Sequence, residues 1–416
     1  MTERMMTHPS GRPATAALPL AGIKVVDFSR LLPGPWCAQM LADMGAEVVK
    51  VEQPCIGDPA RHNQPDYRTG SVYFHGVNRG KRSLALDLAA PEGREVALRL
   101  IDGADVLIES YRRGVTTRLG IDADQARVRN PRLIYCSITG FGQDGPLAPV
   151  PGHDLVIQAM SGLMGTQPAA PGDPPTVPGF QAADYAGATS ALTAILAALL
   201  RRQQTGEGAY LDISMFDSLF AMLNVVMTGA LARAAGNHDG PWIEVWGRNP
   251  RYATYATRDG GAVAVSLLET RTWEHFCRFI GRADLIAPDE TPKDRHSTHG
   301  DRSALYRSTL TAYFASQDRD EVAARLLAAD IPICPVSTPD EALTHPHIAA
   351  RGLVEWIDDP TQGRIPRIAN PLSRTGLADT RGLTAPELGA DREAILEELG
   401  YGSEQRQALR AKGVVT

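Results

Sequence analysis

The sequence predicts an α/β protein built on a parallel sheet, with a smaller α+β domain inserted in its second half. Three observations carry this. Short β-branched runs alternate with helical stretches through the first 140 residues, the pattern of strands joined by crossover helices. A long apolar helix follows from about residue 185. The stretch RYATYATRDGGAVAVSL (251–267) then reads as a hairpin and is followed by helices.

The elements follow in order. IKVVDF (23–28) is a strand, and WCAQMLADMG (36–45) a helix that stops at Gly45. AEVVKVE (46–52) and RSLALDL (82–88) are the next strands, and a helix runs from Pro91 to about Asp102. ADVLIES (104–110) and RLIYCSITG (132–140) complete five strands. AYLDISMFDSLFAML (209–223) reads as a strand running into a helix. The hairpin at 251–267 turns at Asp259-Gly260-Gly261, and helices are expected around 271–282 and 303–329. TAPELGADREAILEELGYGSEQRQAL, near the C-terminus, reads as a loop and then helix. Ligands of parallel sheets bind at the carboxyl ends of the strands. Residues 1–17 read as a disordered tail, 18–229 as the N-terminal part of a large domain and 230–340 as a small one.

Composition bounds the function. With 416 residues, 43% of them hydrophobic and 22% charged, the chain has material for a sizeable core. A net charge of −6 argues against a nucleic-acid-coating surface. Cys37, Cys55, Cys136, Cys277 and Cys334 are scattered and never form a C-x-x-C pair. That suits a reducing, cytoplasmic setting without a disulfide framework or a metal site. The N-terminus has no apolar signal core. The longest apolar run, ALTAILAALL (191–200), is too short to span a bilayer and reads as a buried helix, so no membrane partner is expected.

Neither a dinucleotide fingerprint nor a P-loop follows a strand. NRGKRS (78–83) instead gathers Arg79, Lys81 and Arg82 at the start of a strand. Such a cluster is either a solvated turn or a phosphate cradle, in which Arg gives bidentate contacts and Lys a point charge.

LAGIKVVDFSRLLPGPWCAQMLADMGAEVVKVEQP resembles the opening of the family III coenzyme A-transferases (CaiB/BaiF), which include the α-methylacyl-CoA racemases. The resemblance continues through NRGKRSLALDL, ADVLIESYRRGVTTRLGI, NPRLIYCSITGFGQDGP, GHDLVIQAMSGLM and TGEGAYLDISMFDS. It returns in IPICPVSTPDEALTHPHIAARG and APELGADREAILEELG, so it covers the chain from about residue 19 to its end. It implies a Rossmann-like large domain to which 341–416 returns, a small domain, and two identical chains interlocked as a homodimer. It implies an acyl-CoA thioester as substrate, with a carboxylic acid acceptor if the reaction is a transfer. No metal or other cofactor is implied beyond the coenzyme A of the substrate, whose nucleotide end NRGKRS would line.

Four residues carry the expected chemistry. Asp184, in GFQAADYAGATSALTAIL, immediately precedes a long helix, where Asp is a common cap. The resemblance makes it the catalytic carboxylate, beside backbone N–H groups able to hold an oxyanion. In a transferase it attacks the thioester; in a racemase it moves a proton at the adjacent carbon. His153 of PGHDL matches a racemase acid/base, although alone it would read as a loop histidine. Glu269 of LLETRTW matches a racemase glutamate that would pair with it and favour the imidazolium. Arg112 of SYRRG matches a racemase arginine near the substrate, though the family usually has Pro where Arg113 stands.

The first loop reads SRLLPGP and lacks the glutamine of formyl-CoA transferases, and no run of four glycines occurs. This argues against oxalate-type chemistry more than against transfer in general. The joint presence of Arg112, His153, Asp184 and Glu269 tilts the sequence reading toward epimerisation of 2-methylacyl-CoA esters. The alternative is a CoA-transferase that needs only Asp184, and a third reading is a silent acyl-CoA-binding protein. MSGLMGTQ (160–167) with Met215, Met222 and Met227 would line an acyl pocket or serve as ordinary helix core.

Overall fold

A computed structural model describes residues 18–166, 172–237, 248–291, 294 and 298–416. The tail expected over 1–17 and the end of MSGLMGTQ, Gln167, lie outside the described residues. The chain forms two compact units. The larger holds residues 18–162, 177–222 and 347–416; the smaller holds 163–176 and 223–346.

In the larger unit the predicted alternation forms β1 (Lys24–Asp27), α1 (Pro33–Asp43), β2 (Glu47–Glu52), α2 (Val72–Asn78), β3 (Lys81–Ala85) and α3 (Pro91–Asp102). β4 (Val106–Glu109), α4 (Val115–Leu119), α5 (Ala123–Arg129), β5 (Ile134–Thr139) and α6 (Asp154–Met160) come next. α7 (Ala182–Thr205), β6 (Ala209–Ser214) and α8 (Met215–Met222) complete the first part. The six strands pair in the order β3-β2-β1-β4-β5-β6, every pairing parallel. β1 connects to β2 on one side, while β4 connects to β5 on the other. The strand order therefore reverses between β1 and β4, where a doubly wound sheet opens a ligand crevice at its carboxyl edge.

The central strand β4 is covered along its whole length by helices and reads as an apolar run closed by Glu109. Val106, Leu107 and Ile108 of β4 are fully buried. α3 meets the sheet through Val96, Ala97, Leu100 and Ile101, spaced for one helix face. Each fully buried aliphatic side chain of this kind contributes about 1.5–3 kcal/mol. α7 runs for 24 residues, longer than the apolar run seen in the sequence. Length and composition alone would let it cross a membrane. Its buried stripe (Ala183, Gly187, Ala191, Ile195) lies on the face that packs on α1, α8, β5 and β6.

The smaller unit contains α9 (Thr228–Ala234), β7 (Tyr252–Ala256), β8 (Ala262–Ser266), α10 (Thr270–Phe279), α11 (Arg302–Ala315), α12 (Arg319–Ala328), β9 (Ile333–Pro335) and α13 (Pro339–Thr344). The predicted hairpin is β7–β8, in antiparallel register with Tyr255 opposite Val263. β9 joins as a third strand that the sequence reading missed. The expected helical span 303–329 is two helices, α11 and α12.

The chain re-enters the larger unit with α14 (Pro346–Arg351), and β10 (Val354–Asp359) and β11 (Gly363–Ile368) form a second unforeseen hairpin. Gln362 ties this hairpin to the loop before α2, its Oε1 accepting from the N–H groups of Arg68, Thr69 and Gly70. α15 (Arg392–Glu398) and α16 (Ser403–Ala411) then pack Ile395, Leu396 and Leu409 into the sheet's core.

Candidate active site

The carboxyl ends of the strands open into a cavity of about 640 Å³. Its walls come from the segments that leave β1, β4 and β5, from the start of α7, and from Met215 and Tyr73. Arg30 and Leu31 follow β1; Ser110, Tyr111, Arg112 and Arg113 follow β4; His153 and Asp154 end the segment after β5. This is the crevice that the strand order marks.

Asp184 reaches the cavity as the third residue of α7, not as its cap; Gln181 holds the cap position and makes no side-chain cap bond. The cap comes from another helix. Asp154 Oδ1 accepts the N–H groups of Ala183 (2.8 Å) and Asp184 (3.3 Å). Asp154 Oδ2 accepts from Gln158 Nε2 at 2.6 Å, and the same amide donates to the Phe180 carbonyl at 2.9 Å. The carboxylate of the G-H-D triplet thus joins α6 to the first turn of α7. The N–H groups of Ala182 and Tyr185 are also taken, by Phe180 O and Gln181 O. The expectation that the start of α7 offers free N–H groups to an oxyanion is therefore corrected. Those donors hold the helix start together.

Burial, and then the charge of Asp154, push the Asp184 carboxyl up to about 7. Desolvation disfavours the charged form, and a like charge adds to that. A half-buried carboxylate with this pKa is a stronger base and nucleophile than an exposed one, yet it ionises near neutral pH. Tyr73, on the cavity wall, has its hydroxyl pKa raised by burial and by Asp184.

His153 stands at the cap position of α6, exposed to the cavity, and its carbonyl accepts from Val156 N–H. Gly152 before it is required by close approach, since an added Cβ would lie 2.7 Å from the Phe141 ring. Arg112 is exposed on the same cavity. His153, Asp184 and Arg112 therefore share one crevice. Glu269 belongs to the smaller unit, exposed at the cap position of α10, where its carbonyl accepts from Trp273 N–H. Among the methionines considered for an acyl pocket, Met215 reaches the cavity wall, while Met222 is half-exposed on α8.

The basic cluster of NRGKRS has another task. The Arg79 guanidinium is buried against Asp43, with Nη2–Oδ2 at 2.5 Å and Nε–Oδ1 at 2.9 Å. Lys81 Nζ is buried among Asp27 Oδ2 (2.8 Å), Pro35 O and Asn78 Oδ1 (both 2.9 Å). Burial pushes its ammonium down to about 8, against the pull of Asp27. Arg82 pairs with Glu398 through two 2.8 Å bonds. Each candidate of the phosphate cradle thus already has a partner in the fold: buried carboxylates for Arg79 and Lys81, and the exposed Glu398 for Arg82.

The cations open to the crevice are Arg30, Arg112 and Arg113. Among the described residues none of them forms an ion pair. Arg30 and Tyr111 also line a neighbouring cavity of about 270 Å³, where Leu88 and Leu119 stand beside the charged Lys50, Glu52, Asp58 and Asp87. Sequence reasoning missed Arg30, Tyr73 and Asp154. The usable signals were the position of Arg30 just after β1 and the acid next to His153.

The profile of the CoA-transferase family III matches residues 20–392. The succinate–glutarate CoA-transferase of Agrobacterium fabrum is 33% identical over 401 residues, covering 92% of this chain and 96% of that protein. The succinyl-CoA:mesaconate CoA-transferase of Haloarcula hispanica is 33% identical over 399 residues, covering 92% and 97%. A CaiB/BaiF family protein from Brucella suis, solved by crystallography, superposes with a TM-score of 0.78 at 33% identity, over 92% of this chain and 100% of that one.

Proposed function

This chain belongs to the CoA-transferase family III, and from that premise we propose that it moves coenzyme A between carboxylic acids through an acyl-Asp184 anhydride. The single observation that carries the reading is Asp184 itself, a cavity-facing carboxylate fixed at the start of α7 with its pKa at about 7. The sequence motifs tilt toward epimerisation. The relatives tilt back to transfer, since those from Agrobacterium fabrum and Haloarcula hispanica are named as CoA-transferases.

The steps balance without a redox partner. The Asp184 carboxylate attacks the thioester carbonyl, the C–S bond breaks, and coenzyme A leaves as thiolate. The thiolate attacks the Asp184 carbonyl of the anhydride, releasing the first acid and leaving an aspartyl thioester. The acceptor carboxylate attacks that thioester and expels the thiolate again. Thiolate attack on the new acyl carbonyl yields the second acyl-CoA and free Asp184. Donors for the oxyanions come from the cavity wall, where Tyr73 and Arg112 stand. Coenzyme A is needed only as part of the substrate. Its nucleotide end is placed in the neighbouring cavity rather than at NRGKRS, because Arg30 and Tyr111 line both cavities.

The names of the two relatives suggest dicarboxylic acids as partners in transfer, and the three open arginines suit a second carboxylate. The test is transfer from succinyl-CoA to glutarate, with hydroxylamine trapping of the enzyme. Modification at Asp184 in the wild type, and a loss of about 10³-fold or more in Asp184→Asn, is expected. Turnover by Asp184→Asn near the wild-type rate would sink the reading. His153 on the same cavity favours one second reading, proton exchange at C2 of a 2-methylacyl-CoA ester. Deuterium uptake in D2O without acceptor acid would support it.

A further inference from the structure

The segment joining β1 to α1 follows an irregular path, yet side chains from other parts of the unit take up its polar groups. Ser29 N–H and Oγ–H both donate to Asp27 Oδ1. Lys50 Nζ donates to Ser29 O at 3.0 Å. Arg30 N–H donates to Ser110 Oγ at 3.0 Å, and Leu31 N–H donates to Asp58 Oδ1 at 3.0 Å. Lys50 and Asp58 are themselves an ion pair at 2.8 Å, both fully buried. Leu31 is held at φ 64°, a left-handed conformation that costs a non-glycine residue about 1 kcal/mol or more. Gly34 closes on the segment so tightly that an added Cβ would fall 2.2 Å from Ser29.

This bracing has one exposed product. Arg30 projects from the braced turn into the wall of both cavities, with its guanidinium carbon 4.8 Å from the centre of the Tyr111 ring. Among the described residues no carboxylate pairs with it. Burying Lys50, Asp58 and Asp27 is expensive, and a buried ion pair is weak evidence for stability alone. Such a network earns its place when it fixes one geometry. Here that geometry is a planar, fork-shaped cation aimed at the crevice.

We propose that Arg30 is a substrate-binding residue for a paired-oxygen anion, and that Lys50, Asp58 and Ser110 are positioning residues that hold it there. The anion is either a phosphate of coenzyme A or the second carboxylate of the acid. The proposal rests on the acyl-CoA reading above, and the experiment separates the two. Coenzyme A is titrated calorimetrically into wild type, Arg30→Gln, Asp58→Asn and Ser110→Ala, and KM is measured for both acyl-CoA and acceptor acid. Arg30→Gln is expected to weaken one ligand about tenfold or more, with kcat within about threefold. Loss in the Kd for coenzyme A assigns the phosphate; loss confined to the KM of the acid assigns the carboxylate. Asp58→Asn and Ser110→Ala should weaken the same ligand, and neither should add its loss in the Arg30→Gln background. Ser110→Ala, which deletes one hydroxyl, serves if Asp58→Asn does not fold. Unchanged constants in Arg30→Gln overturn the binding role. Losses that add in full to that of Arg30→Gln overturn the positioning role. Wild type that binds coenzyme A but transfers it to no acid would sink the transferase reading alone. Arg30 is then judged on the Kd for coenzyme A, and an unchanged value overturns its role.

Discussion

Two arginine-bearing segments of the larger unit look alike in the sequence and have opposite fates in the fold. NRGKRS leads into β3, whereas SYRR follows β4. Arg79 and Lys81 are buried and saturated by Asp43 and Asp27. Arg112 and Arg113 are exposed on the crevice and, among the described residues, carry no ion pair. The amino edge of a parallel sheet is closed by its own packing, while the carboxyl edge at a switch point is open. What separates the two pairs is whether the fold brings a buried carboxylate to the cation: Asp43 and Asp27 meet Arg79 and Lys81, and none meets Arg112 or Arg113 among the described residues.

The contrast can be broken by exchanging the two readouts. Arg79→Gln strips a buried carboxylate of its partner and should cost about 3–5 kcal/mol of unfolding free energy. Its KM for acyl-CoA should stay unchanged. Arg112→Gln and Arg113→Gln should do the reverse. Each should raise that KM about tenfold while shifting unfolding by less than about 0.5 kcal/mol. Chemical denaturation and steady-state kinetics on the same preparations check both. A KM effect in Arg79→Gln as large as that in Arg112→Gln would erase the distinction.

The comparison is sharpened by pH. In the proposed transfer the Asp184 carboxylate attacks, so kcat/KM should rise as pH increases through about 7. Asp154→Asn removes the neighbouring charge and should move that rise to lower pH. The same ionisation acts on stability. Asp184 has a folded pKa of about 7, above its ordinary value of 3.8. The folded state therefore binds more protons in that window, and stability contributed by this group is lost as pH rises through it. Asp184→Asn should melt higher than wild type at pH 8, an advantage that disappears by about pH 4. Equal melting temperatures at pH 8 would contradict the raised pKa.

The smallest effect is expected from His153→Ala. Transfer needs one carboxylate, so kcat for transfer should fall by no more than about threefold. A loss like that of Asp184→Asn would restore the acid/base pair that epimerisation requires.

Much of the larger unit was legible because local pattern and tertiary role agree there. A β-branched run such as VLIE can satisfy itself only as a covered strand, and PEGRE before an apolar stripe can only start a helix. The β10–β11 hairpin was not legible. GRIPRI interrupts its pattern with proline, and its tie through Gln362 spans nearly 300 residues of sequence. Asp184 was readable as a carboxylate at a helix start. That it sits inside the first turn, with Asp154 as the cap from α6, was not.

By itself the sequence determined the succession of elements, the parallel α/β class and the family, since each is written in residue types at short spacing. Only the tertiary structure decided which charges meet. It set Asp154 against the start of α7, spent Arg79 and Lys81 on internal carboxylates, and left Arg30, Arg112 and Arg113 open. The physical reason is that a charge is defined by its neighbours and its exposure to water. In a doubly wound sheet those neighbours come from strands far apart in the chain.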